Sequence, residues 1–344
     1  MPDNRISQVN HEVFGWDFQY VAALYLFVDD LSCYQAIGFE KKEDIVLLRK
    51  DGKYDYAQAK AAYVSDEIKL KSHYSEIVKS LKTLSNKQLV NSNTLTCIFN
   101  FSNPYGEDSK DFYSTSIFNV LKYDELPTLV KNTLNDKMTA KSITIDTDKL
   151  YFKYLKCSPG EYKKELNEKI KEKLAYISDT AVAKSNRILD RWFYLLHENG
   201  HQRYDLVDTE IFMGTLFDIL LDKSSDFQKV IEDYGIDCGY NDDDYENSLI
   251  DYFDKKASSV VTYFNIVGGF YNFLEDNKLK SLSSKQKLVA YLNSITENDI
   301  PLDFKNNFNY SCNILVLYKL LCCYVIRKKD NLKSISEVFG YDNK

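Results

Sequence analysis

Between Glu40 and Lys60 the sequence reads Glu-Lys-Lys-Glu-Asp-Ile-Val-Leu-Leu-Arg-Lys-Asp-Gly-Lys-Tyr-Asp-Tyr-Ala-Gln-Ala-Lys, and no other stretch constrains the fold as much. An apolar run from Ile45 to Leu48, a polar turn centred on Asp51-Gly52 and an alternating run from Tyr54 to Ala61 predict a β-hairpin. Side chains alternate along a strand, so Gln58 and Lys60 must share a face. Asp44 opens the first strand, and the turn decides whether it joins them. A two-residue loop, Asp51-Gly52, pairs Asp44 with Ala59 and turns it away. A three-residue loop, Asp51 to Lys53, sets it opposite Lys60. The functional reading requires the longer loop or a bulge.

A carboxylate, an amide carbonyl and an ammonium on one small surface suit metal-assisted phosphodiester cleavage. Asp44, the Gln58 carbonyl and the Ala59 backbone oxygen are candidate ligands for a hard cation, Mg²⁺ or Mn²⁺. Lys60 is then placed to orient the attacking water and to balance the charge that grows on the phosphate. An ordinary hairpin with a polar face is the plain alternative.

Around the hairpin, Asp17–Leu31 carries Phe18, Val21, Ala22, Leu24, Tyr25, Phe27 and Val28 at helical spacing. Cys33–Phe39 reads as a strand, Tyr63–Leu84 as a helix and Leu95–Phe101 as a strand closed by Asn103-Pro104. The order is α, β, β, β, α, β. Lys69, Lys71, Lys79 and Lys82 on the second helix, with Arg49, Lys50 and Lys53 near the turn, are candidates for a local basic surface.

Asp44 followed by Gln58-Ala59-Lys60 resembles the Asp…Gln-x-Lys variant of the PD-(D/E)XK nuclease superfamily. Two further runs, Gly15-Trp16-Asp17-Phe18-Gln19-Tyr20 and Gly38-Phe39-Glu40…Glu43-Asp44-Ile45, resemble the double-stranded DNA endonuclease domain of bacterial anti-phage effectors. Those effectors include the nuclease of CBASS defence and the nuclease subunit of Lamassu systems. The resemblance is best over about residues 11–103. It implies an α/β fold with a restriction-endonuclease-like αβββαβ core. It also implies a Mg²⁺-dependent endodeoxyribonuclease with Asp44 on the metal, Gln58 completing that site and Lys60 assisting the water. Glu40 is the candidate for an additional carboxylate, Glu43 stands behind it, and Gln19 is a supporting group. The helical tail has no match to the CBASS cyclic-nucleotide sensor, which favours the Lamassu-like arrangement. There the nuclease is held inactive by partner subunits, SMC-like ones among them, and acts as a homo-oligomer on assembly. A noncatalytic scaffold with a degenerate nuclease fold is the competing class.

The nuclease domain is expected over residues 1–222 and an all-helical partner-binding or oligomerisation domain over 223–344. Within the first, Phe112–Leu134 reads as mixed helix starting at Pro127, Ser142–Ile145 and Leu150–Leu155 as strands, and Glu161–Leu174 and Ala181–Glu198 as helices. The second holds apolar helices near Ser248–Leu274, Lys285–Ile295 and Tyr310–Arg327, with an acidic loop at 241–244. The formal net charge of −7 counts against broad DNA affinity, so a nuclease of this composition needs a local basic groove, divalent ions or a partner.

Seven cysteines without a Cys-x-x-Cys pair fit reduced, buried thiols in a cytoplasmic protein. The N-terminus lacks a signal-peptide pattern, and the run Asn313–Ile326 is shorter than the roughly 20 residues a membrane span needs. Two rival motifs overlap. His197-Glu198-Asn199-Gly200-His201 matches the zinc-peptidase pattern H-E-x-x-H, but Asn199-Gly200 is a helix-ending pair. Arg191 and His197 fit the Arg-x(4-6)-His spacing of HEPN-type ribonucleases, but Trp192-Phe193 between them reads as a packed helix face. The acidic 242–244 run lacks the rest of a Ca²⁺ loop.

Overall fold

The computed structural model describes residues 4–40, 44–61, 73–86, 91–100, 120–155, 163–198, 206–221, 227–239, 242–255, 260–277, 279–306 and 312–341. They divide into two compact units. The first comprises residues 1–173 and 189–209, the second residues 174–188 and 210–344. The dividing point in the chain is thus Thr209/Glu210, where the sequence suggests Asp222, and the segment 174–188 goes with the second unit.

The first unit begins α1 (Asn4–Asp29), β1 (Tyr34–Glu40), β2 (Asp44–Arg49), β3 (Tyr54–Lys60), α2 (Tyr74–Ser85), β4 (Ser92–Phe99), which is the α, β, β, β, α, β order. It continues with β5 (Val120–Lys122), α3 (Thr128–Ala140), β6 (Leu150–Tyr154) and α4 (Lys164–Leu174). After α5 (Asp179–Ala183) and α6 (Ser185–Leu196), the short β7 (Val207–Asp208) completes a seven-stranded sheet in the order β5-β6-β4-β3-β2-β1-β7. Strands β1, β2 and β3 form an antiparallel meander, and β3, β4 and β6 run parallel.

The hairpin's turn sets its register. The Arg49 amide donates to the Lys53 carbonyl (2.8 Å) and the Gly52 amide to the Arg49 carbonyl (3.0 Å), so the loop is Lys50-Asp51-Gly52. Gly52 has φ +79°, a left-handed conformation that costs glycine least. The Asp51 carboxylate accepts from the Lys53 amide (3.1 Å) and fixes the loop locally. Beside the turn, Asp55 is 6% exposed and accepts four hydrogen bonds, from Tyr34 Oη (3.1 Å), Arg49 Nη1 (3.1 Å), Asn93 Nδ2 (2.9 Å) and Thr94 Oγ1 (2.7 Å). One carboxylate thereby joins β1, β2, β3 and β4.

The two faces of the sheet have different covers. Val46, Tyr56, Leu95, Cys97, Phe99 and Phe152 pack with Ile77, Val78, Leu81 and Leu84 of α2 and Val130 and Leu134 of α3. The opposite face belongs to α1, whose predicted stripe Phe18, Val21, Ala22 and Leu24 is fully buried. There Tyr20 meets Phe39 edge-on at 5.1 Å, and Lys153 of β6 reaches Asp29 (3.6 Å) and the Tyr25 ring (4.2 Å).

The second unit is helical: after α7 (Thr209–Leu220) come α8 (Phe227–Tyr234), α9 (Asp242–Lys255), α10 (Val260–Asp276), α11 (Ser284–Ser294), α12 (Leu302–Lys305), α13 (Ile314–Arg327) and α14 (Lys329–Val338). Apolar α13 is its centre, buried from Leu320 to Ile326.

Five expectations are corrected. Within Phe112–Leu134, expected as mixed helix, Val120–Lys122 is strand β5, paired antiparallel with β6. Ser142–Ile145 is no strand: Ser142 takes φ +52° and the Ile143 amide bonds the Met138 carbonyl, so these residues close the C-terminus of α3. The helix expected from Ala181 to Glu198 breaks at Lys184, which caps α5 and sends its ammonium to the Ile219 carbonyl (3.0 Å). The helix near Ser248–Leu274 is two helices, α9 and α10. The acidic run 242–244 is the first turn of α9, where negative charge complements the helix dipole, and not a loop.

Candidate functional site

The ladder brings the predicted residues into line. Across the first three strands the register pairs Glu40 with Asp44 and Asp44 with Gln58, and β4 continues the row with Cys97. Paired positions share a face, so 40, 44 and 58 stand abreast on three adjacent strands, with Lys60 one pleat further on. Neither numbered loop alternative occurs. The three-residue loop starts one position earlier, at Lys50, and this keeps Asp44 in the parity of Gln58 and Lys60.

The face is the one covered by α2 and α3, because Val46 and Tyr56, two residues from Asp44 and Gln58 along their strands and so on the same side, lie in that core together with Cys97 of the row. Gln58 is 1% exposed and Lys60 half-buried. The Cys97 thiol is held neutral by burial, against the opposing pull of the neighbouring Lys60 ammonium. Sequence reasoning missed that thiol, although alternation along β4 places it. Ala59 turns its side chain to the other face and contributes to the row only through its backbone carbonyl.

The side chains of Glu40 and Asp44, and Glu43 altogether, lie outside the described residues. Among the described residues no group of three or more His, Cys, Asp or Glu stands ready for a metal. What the backbone supplies is the spacing: adjacent strands lie roughly 5 Å apart, so acidic side chains at 40 and 44 and an amide at 58 can converge on one hard cation. Gln19 takes a different place. It sits on α1, the helix layered on the opposite face, with a buried Oε1 that has no hydrogen-bond partner among the described residues.

The basic surface expected near the turn is largely neutralised. Arg49 pairs with Asp55 (3.1 Å), Lys53 with Asp51 (3.6 Å) and Lys79 with Glu76 (2.6 Å); Lys69 and Lys71 lie outside the described residues.

The rival motifs are built into packing. Helix α6 runs to Leu196 and continues through His197-Glu198 as a wider π-helical turn, and His201 lies outside the described residues. Arg191 stacks over Tyr194 (5.5 Å) while His197 sits beside Tyr20 (5.8 Å), so each is engaged with its own ring. Trp192 is buried against Phe27 (6.2 Å).

No family model matches the chain, and no curated protein does. Among solved structures it is similar to the Moraxella osloensis Cap4 SAVED/CARF-domain containing receptor, with a TM-score of 0.40 and 15% identity. That match covers 62% of this chain and 49% of the receptor, about half its length. No helix among the described residues is long and apolar enough to cross a membrane.

Proposed function

We propose that this chain is a metal-dependent DNA endonuclease effector of a prokaryotic anti-phage system. In this reading it has a PD-(D/E)XK-type core, works in the cytoplasm, is held inactive by partner subunits and becomes active on homo-oligomeric assembly. The observation that carries the reading is the register: Glu40, Asp44 and Gln58 abreast, with Lys60 on the same face. The motif resemblance supports the defence context.

A Mg²⁺ or Mn²⁺ ion supplies Lewis-acid activation of the scissile phosphate when bound. The carboxylates of Asp44 and Glu40, the Gln58 amide oxygen and the Ala59 carbonyl would hold it. These are the hard oxygen donors such an ion selects. Lys60 would aim the attacking water and balance the charge that develops on the phosphate oxygens. Gln58 carries no charge, so it fixes geometry without adding to the negative potential that would repel DNA.

The same glutamine also favours a second reading. A neutral, 1%-exposed Gln58 where the superfamily commonly has an acid fits a noncatalytic scaffold that keeps the fold. Plasmid cleavage with Mg²⁺ or Mn²⁺ and candidate partner subunits separates the two. Wild type should nick or linearise the plasmid and Lys60→Ala should not, while both bind Mn²⁺ as followed by its paramagnetic signal. Equal cutting by the two proteins, or no cutting and no Mn²⁺ binding by either, overturns the nuclease reading.

A further inference from the structure

The chain is acidic overall, yet one layer of the first unit has the opposite sign. Residues 74–86 and 128–141, which include all of α2 and α3, hold five lysines (Lys79, Lys82, Lys131, Lys137, Lys141) against two carboxylates, Glu76 and Asp136. Glu76 is already taken by Lys79. Of the other four, Lys131 donates to the Asp124 backbone carbonyl (2.9 Å) and Lys137 lies over the Tyr74 ring (5.6 Å), which joins the two helices. None of the four has an ion-pair partner among the described residues, and Lys82, Lys137 and Lys141 are exposed. Elsewhere in the unit pairing is commoner: Arg49, Lys53, Lys149, Lys153, Lys163, Lys169 and Lys171 each meet a carboxylate, while Lys122, Lys164 and Lys173 have no ion pair among the described residues.

Lys82 and Lys137 stand in last helical turns, where any cation complements the helix dipole. That role accounts for their position but not for the excess of lysines over carboxylates along the two helices. Unpaired ammonium groups on an otherwise acidic protein, interleaved with a tyrosine, match the needs of a phosphodiester backbone. The layer covers the same face of the sheet as the Glu40, Asp44 and Gln58 row.

We propose that the outer surface of α2 and α3 is a docking surface for the backbone of duplex DNA, through Lys82, Lys131, Lys137 and Lys141. Its purpose, delivering DNA to the row, rests on the nuclease reading. The binding itself does not.

The test uses the full chain in EDTA and a fluorescent 30-base-pair duplex, with anisotropy read across rising salt. Wild type should bind, and its affinity should fall steeply with salt. A triple variant, Lys82→Glu, Lys137→Glu and Lys141→Glu, should bind at least ~10-fold more weakly, with a log–log salt slope shallower by about 2 to 3. A control with the same charge change elsewhere, Lys164→Glu, Lys171→Glu and Lys333→Glu, should stay close to wild type. Melting curves check that every variant is folded. The inference is overturned if the two triple variants weaken binding equally, if wild type shows no binding, or if a single strand of equal length binds more tightly than the duplex. If the α2 and α3 variant alone loses DNA while no preparation cuts with Mg²⁺ or Mn²⁺, the nuclease reading fails and the docking surface stands. If Lys60→Ala abolishes cutting while both triple variants bind normally, the reverse holds.

Discussion

Strand β3 has a polar group near each end, and the two ends solve opposite problems. Near the turn, Asp55 is buried with four donors around it, from side chains on β1, β2 and β4. At the far end Gln58 stands in a row with Cys97 and the acidic Glu40 and Asp44, and Lys60 lies one pleat further on the same face. A fully satisfied buried carboxylate fixes strands against one another and has nothing left to offer a substrate. Acidic groups placed abreast repel one another unless a cation joins them, which suits a binding site and costs stability. One end therefore holds the register on which the other depends.

The sharpest way to separate the ends is to remove one group from each. Lys60→Ala should slow plasmid cleavage by ~100-fold or more while leaving the melting temperature close to wild type, since it removes charge stabilisation in the reaction and little packing. Asp55→Ala should do the reverse. It strands four donors, and urea titration should show a loss of roughly 3 kcal/mol. A stability loss from Lys60→Ala as large as that from Asp55→Ala would erase the distinction.

A second contrast sharpens it with buried charge. Lys153 is 2% exposed, and burial lowers its pKa to about 8 even though Asp29 pulls the other way. For Asp29, burial would raise the carboxyl, but Lys153 and Lys169 outweigh it and hold it below the usual range. A lysine whose folded pKa lies below its unfolded value leaves the unfolded chain holding more protons between about pH 8 and about 10.4. Its contribution to stability must therefore rise with pH across that window, by on the order of 3 kcal/mol. The stability difference between wild type and Lys153→Met, from denaturant titrations at pH 7.5 and 9.5, should shift in favour of wild type as pH rises. At neutral pH Lys153→Met should be close to neutral or stabilising, whereas Asp29→Ala should be the more destabilising of the two, because it leaves the buried Lys153 ammonium without its carboxylate, an effect that the solvent exposure of Asp29 reduces.

The smallest expected effect is at the turn. Gly52→Ala places a Cβ at φ +79° and should cost about 1 kcal/mol by urea titration, with the strand register intact. If it also lowers cleavage far more than that loss explains, the turn controls the row directly.

Much of this arrangement is legible from short-range pattern. The apolar stripe of α1, the α, β, β, β, α, β order and the shared face of Gln58 and Lys60 follow from periods of 3.6 and 2, which each segment carries within itself. Pro127 marks the start of α3 as the sequence suggests, and Trp192 is buried as its neighbours indicate. The pattern misleads where a local signal has two outcomes. Ser142–Ile145 has a strand's composition, but Ser142 closes a helix instead, and Asp242–Asp244 looks like a solvated loop because its value to a helix end shows only once α9 exists.

What the sequence determined by itself is which residues lie on one side of each strand, since alternation is built into an extended backbone. The tertiary structure decided which strands' rows coincide. That depends on where the turn closes, between Arg49 and Lys53, and on Asn93 and Thr94, some forty residues along the chain, reaching Asp55. It also decided which lysines keep their charge for a partner, because an ammonium is neutralised only by whichever carboxylate folding carries to it. No local pattern records that meeting.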